Sequence, residues 1–425
     1  MIPIRNAAIS SPDAAWHWRR LLDAPHRLAF FAGSLLLALT GVWWAAVMLA
    51  QALGLAESWA VPAAVAHGLV MSLGLWPLFF AGFLFTAGPK WLGQPPVEAT
   101  QLRWPIGASL AGWLLFIVGA HVELALAAGG VALAAAGLAA LTLRFGRMVC
   151  TSRSPDRLHA ALVLLACGVG TALLAAASAA LALQRLDLVR AAVQAGLWGC
   201  IGLVFVSVTH RMLPFFSAAA VPGLDAWRPR WLLGTLAAAM LAEAALAAAD
   251  LLSWSLPVAW RALQALAEAA MAALLLWLAL RWGLLQSLKI RLLAMLHVGF
   301  VWLGLAFALA AFSHGLMAAT DGARSLGLAP VHALAAGFFG STLLAMATRV
   351  SAGHAGRALH ADAVVWSLFW LLQLAVVARV AAALWDAAAG SLLPISALAW
   401  AAATVGWAWR HARWWGRPRA DGQAG

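Results

Sequence analysis

The sequence predicts an all-α polytopic membrane protein, and its composition, its apolar spans and the placement of its charges all point to that class. Of its 425 residues, 64% are hydrophobic and 10% are charged, and the mean hydropathy is +0.90. Soluble domains usually carry about 25% charged residues and under about 50% apolar residues. The composition therefore excludes water-soluble globular, disordered and collagen-like proteins.

Apolar spans predict about twelve transmembrane helices, because a helix needs about 20 mostly apolar residues to cross a bilayer. The third and fourth spans are separated by only three residues, which makes them the hardest pair to divide. The predicted spans are 28–50, 62–87, 104–120, 124–143, 158–183, 191–210, 231–249, 257–280, 292–318, 329–348, 363–385 and 391–409.

The basic residues orient these helices. With the N-terminus in the cytoplasm, 22 of the 27 Lys and Arg residues fall in inner segments, four fall in outer segments and Arg379 lies inside helix 11. Cytoplasmic loops of membrane proteins carry such an excess of positive charge. We therefore expect cytoplasmic tails at 1–27 and 410–425, the second of them basic, around a single transmembrane domain at 28–409.

The net charge of +12 would suggest a nucleic-acid partner in a soluble protein. Here the inner segments account for it, so we expect the lipid bilayer as the partner and no nucleic acid. The three cysteines, Cys150, Cys167 and Cys200, form no CxxC motif and no disulfide framework.

A faint internal repeat is visible in helices 2 and 10. His67 is followed after nineteen residues by Thr86-Ala-Gly, and His332 is followed after nineteen by Ser351-Ala-Gly. Together with histidines that open helices 1, 5 and 9, this spacing suggests three units of four helices. Shared Ala, Gly and Leu composition explains the likeness equally well, so both interpretations stay open.

Histidines are the most informative polar residues, because neutral imidazole is a common ligand of haem iron and copper. They fall into two layers along the helices. The outer layer holds His67, His121, His314 and His332, and the inner layer holds His26, His159, His210, His297 and His354. His332 and His354 are 22 residues apart, roughly 30 Å along a helix. The sequence therefore allows two metal centres at opposite depths, or one centre with spectator histidines. His17, His360 and His411 are expected to be solvated.

Few other ionisable residues lie at membrane depth, where such residues usually face the bundle interior. Glu243 and Glu268 are candidates for proton or ion binding, and Arg379 is expected to snorkel toward the outer surface. These three residues would also serve a secondary transporter without a cofactor, which stays open as an alternative.

A subunit of the haem-copper oxidase or nitric oxide reductase class is a third interpretation. Those enzymes need adjacent His-His and His-x-His ligands, and this sequence has neither pattern. It also has no Tyr beside 25 Trp, so it lacks the phenol that oxygen-reducing members use. The sequence by itself does not decide whether the protein is an enzyme.

Five segments, in order along the chain, resemble the NnrS family of bacterial membrane proteins. The strongest is His332-Ala-Leu in helix 10 with its continuation through Met346–Arg357. The supporting segments are Arg27 with Phe30-Phe31, Gly82–Trp91, Arg211–Ser217 and Leu296–Leu303. This resemblance implies a twelve-helix protein of the bacterial inner membrane that binds haem, and copper as a second candidate metal, and that takes part in the nitric oxide response and denitrification.

The resemblance also implies site residues. Candidate metal or haem ligands are His67, His297, His332 and His354, with His26, His210 and His314 as secondary candidates. Arg27, Arg211, Arg349 and Arg357 are candidates to pair with haem propionates or another anion, and nitric oxide is the expected small ligand. The family usually has His-x-His-Glu at the start of helix 2, where this chain has Val65 and Gly68 in place of the first His and the Glu. That difference puts a copper centre in doubt.

Overall fold

A computed structural model describes residues 15–55, 58–252 and 257–422, and within these ranges the protein is helical and contains no strand. Residues 1–14, which form half of the predicted N-terminal tail, lie outside the described ranges. Twelve helices are long and apolar enough to cross a membrane, as the sequence predicts. In chain order they are α1 (Pro25–Ala52), α2 (Ala63–Leu92), α3 (Ala99–Val122), α4 (Leu124–Thr151), α5 (Leu158–Ala182), α6 (Leu186–Ala220), α7 (Arg230–Leu251), α8 (Val258–Arg281), α9 (Arg291–Ala319), α10 (Ala329–His354), α11 (Ala363–Leu384) and α12 (Asp386–Trp415).

Several helices extend past the predicted spans, and the extensions carry polar residues. α6 runs from Leu186 to Ala220, and α10 ends at His354 instead of near residue 348. α12 continues to Trp415, so its last turns occupy the start of the predicted C-terminal tail. A hydropathy window stops at the apolar core, whereas backbone hydrogen bonding continues a helix into the polar interface.

Three helices form the centre of the bundle. Helices α2, α6 and α10 are the most buried, with 83%, 83% and 78% of their apolar windows enclosed, against 33% for α7 and α8. Helices adjacent in sequence pack around them, and α1 packs against α12, which closes the bundle. Each central helix also contains one π-helical segment, at Val70–Gly74, Leu197–Gly202 and Ala333–Gly340. π-Helical turns are rare and are frequent at functional sites.

The central helices meet through an aromatic cluster formed by Trp76, Phe205 and Phe339. The ring centroids of Trp76 lie 5.7 Å from those of both other residues, and Phe205 lies 4.6 Å from Phe339. All three side chains are buried. Ring pairs at these separations stabilise the packing beyond the burial of their area, so the cluster holds α2, α6 and α10 at one level. We refer to it as the central aromatic cluster.

Helices α3 and α4 form a close antiparallel pair, although only Glu123 separates them. A Cβ atom added at Gly112 would lie 2.6 Å from the carbonyl oxygen of Gly130, and one added at Gly130 would lie 2.5 Å from the amide nitrogen of Phe116. Small residues allow such backbone contact between membrane helices, where van der Waals packing and hydrogen bonds drive helix association.

Gly130→Leu is expected to destabilise the protein by about 1–3 kcal/mol, because its side chain has no space between α3 and α4. The matched control is Gly129→Leu, since Gly129 is exposed and a Cβ there meets nothing within 4 Å. Thermal unfolding of the detergent-solubilised variants measures the effect. Equal melting temperatures for the two variants would contradict this packing.

Both termini are predicted to lie in the cytoplasm. Green fluorescent protein fused after Gly425 should therefore fluoresce, and alkaline phosphatase inserted after Arg324, in the loop between α9 and α10, should be active outside. A dark C-terminal fusion together with an inactive phosphatase insertion would reverse the orientation.

Candidate functional site

Two predicted ligands come together near the outer ends of α2 and α10. The ring centroids of His67 and His332 are 6.4 Å apart, and the ring planes differ by 14°. Each histidine shortly precedes a π-helical segment, which begins at Val70 in α2 and at Ala333 in α10. We refer to His67 and His332 as the outer pair.

The outer pair has ring nitrogens available to a ligand. The Nδ1 atom of His332 lies 2.9 Å from the carbonyl oxygen of Leu328. Because a carbonyl only accepts hydrogen bonds, this Nδ1 carries the hydrogen, and Nε2 of the neutral ring keeps its lone pair. The Nδ1 atom of His67 is buried and has no hydrogen-bond partner. Buried polar atoms are normally satisfied, so this atom is a candidate for a missing partner.

Two further residues surround the outer pair. The indole ring of Trp44 stacks on His67, with centroids 4.0 Å apart and planes 28° apart. The half-buried Arg379 from α11 is close enough for its charge to act on both imidazoles. Sequence reasoning did not connect Arg379 with the histidines, although its position five residues from the outer end of α11 matches their depth.

The remaining predicted outer residues form a separate polar cluster. The Nδ1 atom of His314 lies 2.8 and 2.9 Å from the two carboxylate oxygens of Glu268. Gln264 donates a hydrogen bond of 3.1 Å to Glu268, and Glu243 is close enough to interact with the same carboxyl group. His314 is therefore occupied by a carboxylate and lies apart from the outer pair.

His121, the other outer histidine, is also satisfied. It accepts a hydrogen bond of 2.9 Å from the Nε1 atom of Trp43, and its Nδ1 lies 3.1 Å from the carbonyl oxygen of Ser58. These bonds tie the turn between α3 and α4 to α1 and to the segment before α2.

On the inner side, His354 meets His26, a secondary candidate. Their ring centroids are 4.3 Å apart and their planes differ by 37°. His26 is 2% exposed, and its Nδ1 atom has no hydrogen-bond partner. His354 also faces an apolar cavity of about 400 Å³ that lies between α2, α6 and α10. We refer to this space as the inner cavity.

Each of the other inner histidines has a protein partner at one ring nitrogen at least, although the Nδ1 atoms of His159 and His297 are buried without one. The Nε2 atom of His297 lies 2.9 Å from the hydroxyl oxygen of Ser217. The Nε2 atom of His159 lies 3.1 Å from Nδ1 of His210, whose Nε2 donates to the carbonyl oxygen of Pro229 at 3.2 Å. The four main ligand candidates thus divide into the outer pair, His354 beside His26, and His297 beside Ser217.

The four predicted anion-pairing arginines lie on the inner side, where their partners differ. Arg27 donates to the carbonyl oxygens of Trp415 and Arg417 at 3.2 and 3.0 Å, and it pairs with Asp23. The other three lie over aromatic rings: Arg211 over Trp91, Arg349 over Phe216 and Arg357 over Trp414. Of the four, only Arg349 lines the inner cavity.

The expectation that His411 is solvated is wrong. His411 is fully buried in α12, where its Nδ1 donates to the carbonyl oxygen of Trp407 at 2.9 Å. Because α12 continues past the predicted boundary at residue 409, His411 stacks on Trp407 within the bundle. The run of tryptophans on either side, at 407, 409, 414 and 415, was a signal that this helix continues. His17 and His360 are exposed, as expected.

Sequence comparison identifies the family. The model of one protein family, described as NnrS protein, matches residues 20–419 of the chain. The chain belongs to the NnrS family. Comparison with curated proteins finds no match.

NnrS membership supports a multi-pass membrane protein of the nitric oxide response. It also suggests the involvement of metal or haem in general terms. Among the described residues, no group of three or more His, Cys, Asp or Glu side chains is arranged to hold a metal ion.

Val65 and Gly68, which stand where the family resemblance suggests His and Glu, have apolar contacts at the start of α2. Val65 is 2% exposed and belongs to the hydrophobic core. A Cβ atom added at Gly68 would meet the side chain of Val193 at 3.4 Å. These two positions therefore add no ligand to the outer pair.

Proposed function

We propose that this protein binds haem in the bacterial inner membrane and acts in the response to nitric oxide, and that His67 and His332 would hold the haem iron. The observation that carries this proposal is the outer pair: two facing imidazoles with free nitrogens, on two central helices. Family membership supports the nitric oxide response.

The outer pair offers two imidazole ligands, and that number suits haem. Histidine is a frequent protein ligand of haem iron, so the imidazoles of the outer pair would be able to hold it without further protein ligands. A separation of 6.4 Å between the ring centroids leaves room for one metal ion bonded to a nitrogen of each ring at about 2.0–2.1 Å. Structural zinc, in contrast, takes four protein ligands, and only two approach here.

Arg379 is the residue best placed to pair with a propionate of this haem. The guanidinium group forms strong, often bidentate hydrogen bonds with carboxylates, and its charge acts on both members of the outer pair. Arg349, which the family resemblance suggested, is 17 residues from His332, roughly 25 Å along α10. We therefore assign the propionate role at this site to Arg379.

The two histidines differ in how firmly they are held. The Leu328 carbonyl fixes the ring orientation and tautomer of His332, and such bonds strengthen a ligand. His67 has no hydrogen bond at Nδ1 and is positioned by stacking on Trp44. Nitric oxide is small and apolar, so it can reach this depth through the bilayer. We therefore propose that His332 would hold the iron more firmly than His67, and that the haem would supply the atom to which nitric oxide binds.

Copper is not assigned to a site. The described residues contain no three-ligand group, and the two positions at which this chain differs from the family motif contribute no ligand.

A secondary transporter is the alternative, and one observation favours it. The buried cluster of Glu243, Gln264, Glu268 and His314 could bind a proton or cation within the membrane. Colour discriminates between the two functions, because a transporter without cofactor absorbs no visible light and shows substrate-dependent uptake.

His332→Ala and His67→Ala are each expected to abolish or strongly reduce the haem Soret band of protein purified from haem-replete cells, because each removes an axial ligand. His360→Ala is the matched control, since His360 is exposed in the loop after α10. Haem content is measured by the pyridine haemochrome assay. Full haem occupancy in both ligand variants would refute the outer pair as the haem site.

Nitric oxide is expected to shift the Soret band of the reduced protein. If His67 is the displaced ligand, His67→Gly protein reconstituted with haem should bind nitric oxide faster than the unaltered protein, because no ligand has to leave. Stopped-flow absorbance measures both rates. Equal rates, or a spectrum that nitric oxide does not change, would contradict this role.

A further inference from the structure

We propose that the inner cavity is a second binding site, separate from the outer pair, and that it takes an acidic amphiphile: an apolar body with a carboxylate or phosphate head group. Its walls come from α2, α6 and α10, below the central aromatic cluster, and Phe205 belongs to both. The proposal does not depend on haem at the outer pair.

The walls of the inner cavity are suited to an apolar body. They include Phe80, Phe83, Val208, Leu343 and Met346. The volume of about 400 Å³ lies within the range of ligand pockets in proteins, which are mostly apolar with a few polar groups that orient the ligand. A close-packed bundle does not usually leave such a space.

Two polar side chains on the cavity wall are open to a ligand. The hydroxyl oxygen of Thr342 has no hydrogen-bond partner, although the residue is only 5% exposed, and leaving a buried polar group unpaired is costly. The guanidinium group of the half-buried Arg349 lies 4.1 Å from the centroid of the Phe216 ring and forms no ion pair with any acidic side chain of the described chain. An anionic head group would pair with Arg349.

The charges around the cavity favour an anion. Lys90, Arg27 and Arg419 all act electrostatically on His354, which lines the same wall as Arg349. The acidic residues nearby are already engaged. Asp23 pairs with Arg27, and Asp421 accepts a hydrogen bond from Arg419. These pairs balance the charges of Arg27 and Arg419, whereas Lys90 and Arg349 form no ion pair within the described residues. The charge left at the cavity is therefore positive.

These observations exclude other occupants. A cation would meet an excess of positive charge, and a neutral hydrocarbon would leave Thr342 and Arg349 without partners. The combination of apolar walls with a half-buried arginine matches a carboxylate or phosphate on a lipid-like body.

Binding of oleate and of oleyl alcohol to the detergent-purified full chain tests the proposal, since the two probes share the same hydrocarbon chain and end in a carboxylate and a neutral hydroxyl, respectively. Displacement of the fluorescent carboxylate cis-parinaric acid reports both. We expect oleate to displace it at least about tenfold more effectively than oleyl alcohol, because a charge-assisted bond contributes that much.

Two variants address the two parts of the ligand. Arg349→Gln should weaken oleate binding by about tenfold or more and leave oleyl alcohol unaffected. Val208→Trp should block both probes by filling the cavity. Arg357→Gln is the matched control, because Arg357 also lies over a ring near the inner surface, that of Trp414, but does not line the cavity. An unchanged melting temperature shows that each variant is folded.

The protein as isolated shows which natural ligand supplies the acidic head group, a lipid or a haem. Native mass spectrometry that finds a fatty acid or phospholipid, lost in Arg349→Gln, supports a lipid occupant. A content of two haems per chain would support a haem propionate as the acid. In that case Arg349→Gln should lose the haem of the inner cavity, and His332→Ala should retain it. Equal binding of the two probes, or oleate binding that Arg349→Gln does not change, would overturn the proposal. Those two results concern the inner cavity alone, so the test of the outer pair by haem content would be unaffected.

Discussion

The contact among α2, α6 and α10 through the rings of Trp76, Phe205 and Phe339 is the interaction on which the rest of the molecule depends. A bilayer supplies no water to satisfy the backbone, so each crossing segment has to be a helix, and helices in lipid gain little from apolar burial against each other. Tight packing of rings and small residues at the centre therefore determines which faces of these helices point inward. The outer pair and the inner cavity lie on opposite sides of this contact.

The hydrogen bonding of each histidine follows from that arrangement. Where a hydroxyl, carbonyl, carboxylate or second imidazole is within reach, as for His297, His210 and His314, the ring is part of the internal hydrogen bonding that a membrane interior demands. An unpaired Nδ1 is common to His26, His67, His159 and His297, so it does not separate them. His159 and His297 are hydrogen-bonded through Nε2, whereas His67 and His26 have another imidazole nearby and no hydrogen bond to the described part of the chain. That combination marks the candidate sites.

The distribution of positive charge separates the two candidate sites. Near the outer pair, one arginine, Arg379, acts on two imidazoles. Near the inner cavity, several basic groups surround His354, in keeping with the excess of basic residues in the inner segments of the chain. We propose that the same asymmetry of basic residues gives the inner cavity its preference for acidic ligands.

The sequence by itself determined the membrane class, the twelve helices and the family. These follow from local quantities, namely twenty-residue apolar runs and the short motif around His332. It also indicated that His67 and His332 share a depth, because depth is a count of residues along a helix. Only the tertiary structure decided which side chains meet. Whether His354 faces His26 or His297, and whether Arg379 faces the lipid or the outer pair, depends on helix rotation and on contacts between residues far apart in the chain. The burial of His411 likewise depended on how far α12 continues against its neighbours, which no hydropathy window reports.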